Sequence, residues 1–185
     1  PAHGFSTGSL FTVPLYSRTI NHLISNIGEI ETVVAHSIGG FSILHSFYFE
    51  KELPINKLVI MAAPGEAMDF LTFYKNTLGL SDKTTRLIKE KFERVINNPI
   101  EFYSTKHFAA TMTKHGLIIH DELDDEALFK YGKQINAAWS NSTLMATKNL
   151  GHNLKSPEVV KSVVDFVNEP LHVNVTGPLK SEAYA

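Results

Sequence analysis

Cysteine is absent from the 185 residues. That removes disulfides, a thiolate nucleophile and Cys-based zinc sites from consideration. No excess of either charge is present: 17 basic and 19 acidic side chains leave a formal net charge of −2. A protein that grips nucleic acid through its phosphates needs a basic footprint, and this chain has none. Long apolar runs are missing too. The stretch Leu58 to Ala63 is far short of the ~20 residues that span a bilayer, so no membrane span is expected. Internal repeats, low-complexity tracts, a His-Glu-x-x-His pattern and a Gly-Lys-Ser/Thr phosphate loop are likewise absent, which argues against a zinc protease and a nucleotide-binding module. No metal or organic cofactor is implied.

With 43% hydrophobic and 19% charged residues, the composition is that of an ordinary globular domain. Four short apolar runs read as strands buried on both faces: 30–36, 57–63, 117–120 and 143–147. Helical spacing separates them. Residues 14–28 place Tyr16, Ile20, Leu23, Ile24 and Ile27 on one face, and residues 39–51 carry Phe41, Ile43, Leu44, Phe47 and Tyr48. Ser156-Pro157 opens a last helix, in which Val159, Val160, Val163, Val164 and Val167 recur before Pro170. Strands alternating with helices predict an α/β domain with a largely parallel sheet. The segment 65–112 lacks a strand but holds an amphipathic helix at 81–97, capped by Ser81 and flanked by aromatic residues. It reads as a helical lid inserted into a core of residues 1–64 and 113–170. Residues 171–185 read as a tail or an edge strand.

The chemistry concentrates at Val33-Val34-Ala35-His36-Ser37-Ile38-Gly39-Gly40, a strand that runs directly into a helix with serine at the turn. Such a turn lifts the hydroxyl above the sheet and calls for small residues two places either side, here Ala35 and Gly39. A serine needs a base to take its proton and an acid to orient that base. In a parallel sheet both should come from the ends of later strands, acid first. The third run leads into His120-Asp121-Glu122-Leu123-Asp124-Asp125, and the fourth is followed by Gly151-His152. The required types stand in the required order.

On these residues the chain resembles the α/β-hydrolase fold, particularly its esterase and lipase-like serine hydrolases, over nearly its whole length. Pro1-Ala2-His3-Gly4-Phe5-Ser6 is similar to the family's Asp-x-Pro-x-His-Gly-x-Ser loop, and Leu117 to Asp124 to its Ile-x-His-Gly-x-x-Asp strand and loop. The departures are alanine for the first elbow glycine (Ala35), Asp121 for a glycine and Ala127 for a valine. The resemblance implies Ser37 as nucleophile, His152 as base and Asp124 as acid, with Asp121 and Asp125 as neighbouring alternatives. The backbone N–H of Ile38 would be one oxyanion donor; His3, Phe70, Phe73 and Phe108 would contact substrate. His36 and His120 are expected to serve packing and hydrogen bonding. The sequons at Asn141 and Asn174 are expected to be coincidental.

Judged against that family, the first strands would lie upstream of Pro1, about 80–100 residues' worth at the usual length of a strand–helix unit. Strand 30–36 would then be an exposed edge that invites a homo-oligomer, and the second oxyanion donor would be lacking, at a cost of ~2.7–4 kcal/mol. The resulting expectation is a cytoplasmic hydrolase of small or apolar carboxylic esters; the alternative is a catalytically weak, hydrolase-like binding module.

Overall fold

The computed structural model describes residues 2–170. The tail or edge strand expected at 171–185 lies outside the described residues. Four strands form one sheet in the order β1-β2-β3-β4: β1 Ile30–His36, β2 Ile55–Met61, β3 His115–Asp121 and β4 Ser142–Thr147. Every pairing is parallel. Strands β2, β3 and β4 begin one or two residues earlier than the apolar runs suggest, because Ile55, His115 and Ser142 are each paired in the ladder.

Alternation along the strands divides the core in two. Leu58, Ile60 and Ile118 face one cluster, where α1 (Val13–Ile27), α2 (Ile38–Phe49) and the later helices pack. Val59, Leu117 and Ile119 face the other, against the last helix, α7 (Pro157–Asn168). The ends of these helices follow their sequence signals. Thr12 caps α1, with Pro14 in its first turn, and Gly28 ends it at φ 93. Ser156 caps α7 just ahead of Pro157. At the other end of α7, buried Lys57 donates to the carbonyls of Phe166, Val167 and Glu169, supplying the cation that a helix C-terminus favours.

Between β2 and β3 the chain makes an excursion of α3 (Ala67–Leu78), α4 (Asp82–Ile96), a short 3-10 turn at Ile100–Phe102, and α5 (Thr105–Ala109). Ser81 caps α4 as its sequence predicts. The excursion is tied shut at its base. Ala67 N donates to Tyr103 O, Thr105 N donates to Gly65 O, and Ser104 Oγ donates to Glu66 at 2.8 Å. Residues beyond that tie, including Phe108, Ala109 and Met112, belong to the main core. The excursion also sends Tyr103 into that core, with Ala67, Phe92, Ile96 and Phe102 packed against it. Helix α6 (Phe129–Ala138), like α3, was not legible from periodicity: it buries Tyr131, Gly132 and Ile135 and is otherwise mixed in character.

Among the described residues β1 pairs only with β2 and β4 only with β3. No helix among them is long and apolar enough to cross a membrane.

Candidate active site

Three loops at the C-terminal ends of the strands converge, which is where a parallel sheet binds its ligands. The first is the turn between β1 and α2. Ser37 sits there at φ 53, ψ −125, a conformation a non-glycine residue adopts only when its surroundings hold it. Ser37 N donates to Met61 O at 2.8 Å, and Phe41 N to Ser37 O, so β2 and α2 supply the restraint. The small residue this turn needs is not the one the motif nominates. Nothing among the described residues lies within 4 Å of a Cβ added at Gly39, whereas one at Gly40 would meet Ala63 and Ile60 at 3.1 Å. Gly40 is the residue that lets α2 lie on β2.

The second loop follows β3, and its three aspartates have separate tasks. Asp124 Oδ1 accepts from the N–H groups of Glu126 and Ala127, which leaves Oδ2 to accept from His152 Nδ1 at 2.9 Å. Asp121 is equally buried but faces the third loop, accepting from Thr147 Oγ1 and the N–H groups of Leu123 and Leu150. Burial pushes its carboxyl up, but the N–H donors of Leu150 and Leu123 and the Thr147 hydroxyl outweigh it. Asp121 is held below the ordinary carboxylate range. Asp125 is exposed.

The third loop, after β4, delivers His152. Its Nε2 stands 2.9 Å from Ser37 Oγ. Because Asp124 can only accept, the Nδ1 proton lies between ring and carboxylate, and Nε2 is free to accept from the hydroxyl. Two further histidines brace this arrangement. His36 Nε2 donates to His152 O at 2.8 Å, tying the loop to the end of β1. His120 Nε2 donates to Ala127 O at 2.6 Å and lies 3.5 Å from Asp124 Oδ2. Burial holds its imidazole pKa below the ordinary histidine value, against the opposing pull of the Ala127 carbonyl and Asp124. Gly132 makes room for that ring, since an added Cβ would lie 2.8 Å from His120 Nδ1.

Ser37 and His152 open into a cavity of about 410 Å³, lined also by Phe70, Phe73 and Tyr74 of α3. Phe70 and Phe73 thus stand where the sequence reading puts substrate contacts. Phe108 does not. It is wholly buried beneath α2, edge-to-face with Phe41, because its position on α5 turns it into the core. His3 packs against Phe11 instead of lining the cavity. Sequence reasoning also missed the polar wall formed by Glu66, Asp69, Lys130 and Tyr131. Only Gly65 hints at it: a side chain there would strike the ring of Tyr131. Among the described residues no cluster of three or more His, Asp or Glu side chains is arranged to hold a metal ion.

Ile38, Gly39 and Gly40 open α2, and N–H groups in a helix's first turn lack an intrahelical acceptor. They form the positive end of the helix next to the serine hydroxyl. The ensemble can move a proton from a hydroxyl to an imidazole and stabilise the imidazolium that results.

No family model matches the sequence, and no curated protein does. Solved structures match its fold. Alpha/beta hydrolase domain-containing protein 10 from mouse superposes with a TM-score of 0.65 at 18% identity, over 90% of this chain and 74% of that one. An esterase from Exiguobacterium antarcticum gives 0.62 at 15%, over 91% and 76%. A bromoperoxidase from Bacillus anthracis gives 0.63 at 17%, over 90% and 78%.

Proposed function

On an α/β-hydrolase fold, we propose that this chain is a serine hydrolase of carboxylic esters that works through an acyl-enzyme. The observation that carries the reading is the unbroken relay from Ser37 Oγ to His152 Nε2 and from His152 Nδ1 to Asp124 Oδ2, each link 2.9 Å.

Ser37 Oγ attacks the ester carbonyl carbon while its proton passes to His152 Nε2. Asp124 holds the ring in the needed tautomer and stabilises the imidazolium. The oxyanion receives the N–H of Ile38. Collapse of the tetrahedral intermediate breaks the bond to the alkoxy oxygen, which leaves with the proton from His152. A water molecule, deprotonated by the same imidazole, then attacks the acyl-enzyme, and the acid departs as Ser37 regains its proton. The α3–α4 excursion, whose aromatic residues bound the cavity, acts in this reading as the lid that excludes bulk water.

A fluorophosphonate probe tests the reading. An adduct on Ser37 by mass spectrometry, with p-nitrophenyl acetate turnover lost by roughly 10³- to 10⁶-fold in Ser37→Ala, is the expected result. An unlabelled Ser37 in a folded protein would sink it and leave the binding module as the better description.

A further inference from the structure

His36 stands directly before Ser37 in the chain, and its Nε2 lies 2.8 Å from the carbonyl oxygen of His152. One residue is thus covalently joined to the nucleophile and hydrogen-bonded to the main chain of the base. A carbonyl only accepts, so the imidazole of His36 carries a proton on Nε2. The ring also packs against that of His152, with centroids 4.9 Å apart and planes at 54°. His36 itself is exposed and does not line the cavity of Ser37 and His152. Whatever it contributes reaches the chemistry through His152.

The loop that carries His152 needs such support. Between Thr147, the last residue of β4, and Ser156, the cap of α7, the chain takes φ values of 65, 59 and 52 at Asn149, Gly151 and Leu154. A leucine adopts that left-handed region only when its surroundings hold it there. The loop is pinned on each side of His152: Asp121 accepts from the N–H of Leu150 at 3.0 Å, and Leu154 is buried in the core beside α7. Both pins lie two residues away, whereas the bond from His36 is made to His152 itself. The imidazole bridges Ser37 and Asp124 at 2.9 Å each, so a turn of the 152–153 peptide that swings the ring breaks one contact or the other. We infer that His36 is a positioning residue: its Nε2–H fixes the His152 carbonyl, and with it the angle at which the imidazole meets Ser37 and Asp124. A role in turnover rests on that relay being the reacting one; the effect of His36 on where the imidazole sits does not.

The test separates the donor from the ring. His36→Ala removes both, His36→Gln keeps an N–H donor without the ring, and His36→Phe keeps a ring without the donor. With p-nitrophenyl acetate, His36→Ala should lower kcat about 10- to 100-fold and leave KM within about twofold, the loss expected when a reacting group moves by ~1 Å. His36→Gln should recover to within about fivefold of the parent, and His36→Phe should stay as low as the alanine variant. If His36→Ala fails to fold, the other two variants decide. Rescue by phenylalanine but not glutamine, an unchanged kcat in His36→Ala, or a rise in KM alone would overturn the inference and leave the hydrolase reading intact. A second readout needs no turnover: the low-field NMR resonance of the proton between His152 Nδ1 and Asp124. It should be sharp in the parent and in His36→Gln, and broadened by exchange in His36→Ala and His36→Phe. That pattern, in a protein that neither turns over esters nor takes up the probe, would keep the positioning role and reject the hydrolase. A resonance identical in all four proteins would overturn the positioning role.

Discussion

Helix α2 buries every residue from Gly40 to Phe47, whereas α4 buries none. The two are held by different forces. Helix α2, which follows the serine, is fixed by Phe41, Ile43, Leu44 and Phe47, each worth ~1.5–3 kcal/mol on burial. Helix α4 is laced by surface ion pairs such as Lys89–Glu93 and Arg86–Glu90, each worth ~1 kcal/mol at most. Its apolar residues Leu87, Ile88 and Val95 are largely exposed, and only Phe92 and Ile96 reach the core. The serine turn thus stands on a firmly packed helix, whereas α4 is held only at its edge.

The largest effect should come from the acid. Asp124→Asn is expected to lower kcat by ~10⁴-fold with the fold retained, because the ring loses the tautomer that accepts from Ser37. Asp121→Asn should leave kcat within tenfold and instead cost about 1–3 kcal/mol in urea unfolding, since its partners are loop N–H groups and Thr147. The reverse pattern would exchange the roles of the two aspartates.

Next in size is the packing beneath α2. Leu44→Ala should cost about 2–5 kcal/mol by the cavity it leaves.

The same region should also make stability depend on pH. His45, buried between α1 and α2 and hydrogen-bonded to Ser17, has its pKa lowered by desolvation from 6.5 to about 4. Between those values the unfolded chain binds a proton that the native state refuses. Stability should therefore fall as pH drops from about 6.5 toward 4, by roughly 2–3 kcal/mol once residual screening is allowed for. Thermal melts across this window should show the loss, and His45→Gln should flatten it. The smallest change belongs to α4: Leu87→Gln should stay within about 0.5 kcal/mol of the parent. A large loss there would mean that α4 is as firmly built as α2.

Much of this was legible in the sequence where the signal is local. All four strands are apolar runs bounded by polar residues, and Thr12, Ser81 and Ser156 cap helices that their own sequences announce. The serine turn and the order serine, aspartate, histidine follow from how a parallel sheet presents its strand ends. Helices α3 and α6 were missed because tertiary packing, rather than an apolar stripe, stabilises them. Phe108 and Phe70 carry the same side chain in the same aromatic-rich segment, yet one is core and the other lines the cavity.

By itself, then, the sequence determined the class of fold, the elbow at Ser37 and the order in which the reactive groups arrive. Periodicity and turn chemistry act over a few residues, and these features need no more. Only the tertiary structure decided which of three neighbouring aspartates meets His152, which of two glycines admits α2 to the sheet, and which aromatic residues line the cavity. Ser37 and His152 are 115 residues apart, and their 2.9 Å contact depends on three strand registers and the loops they aim. No local pattern encodes a distance of that kind; the packing of the whole sheet sets it.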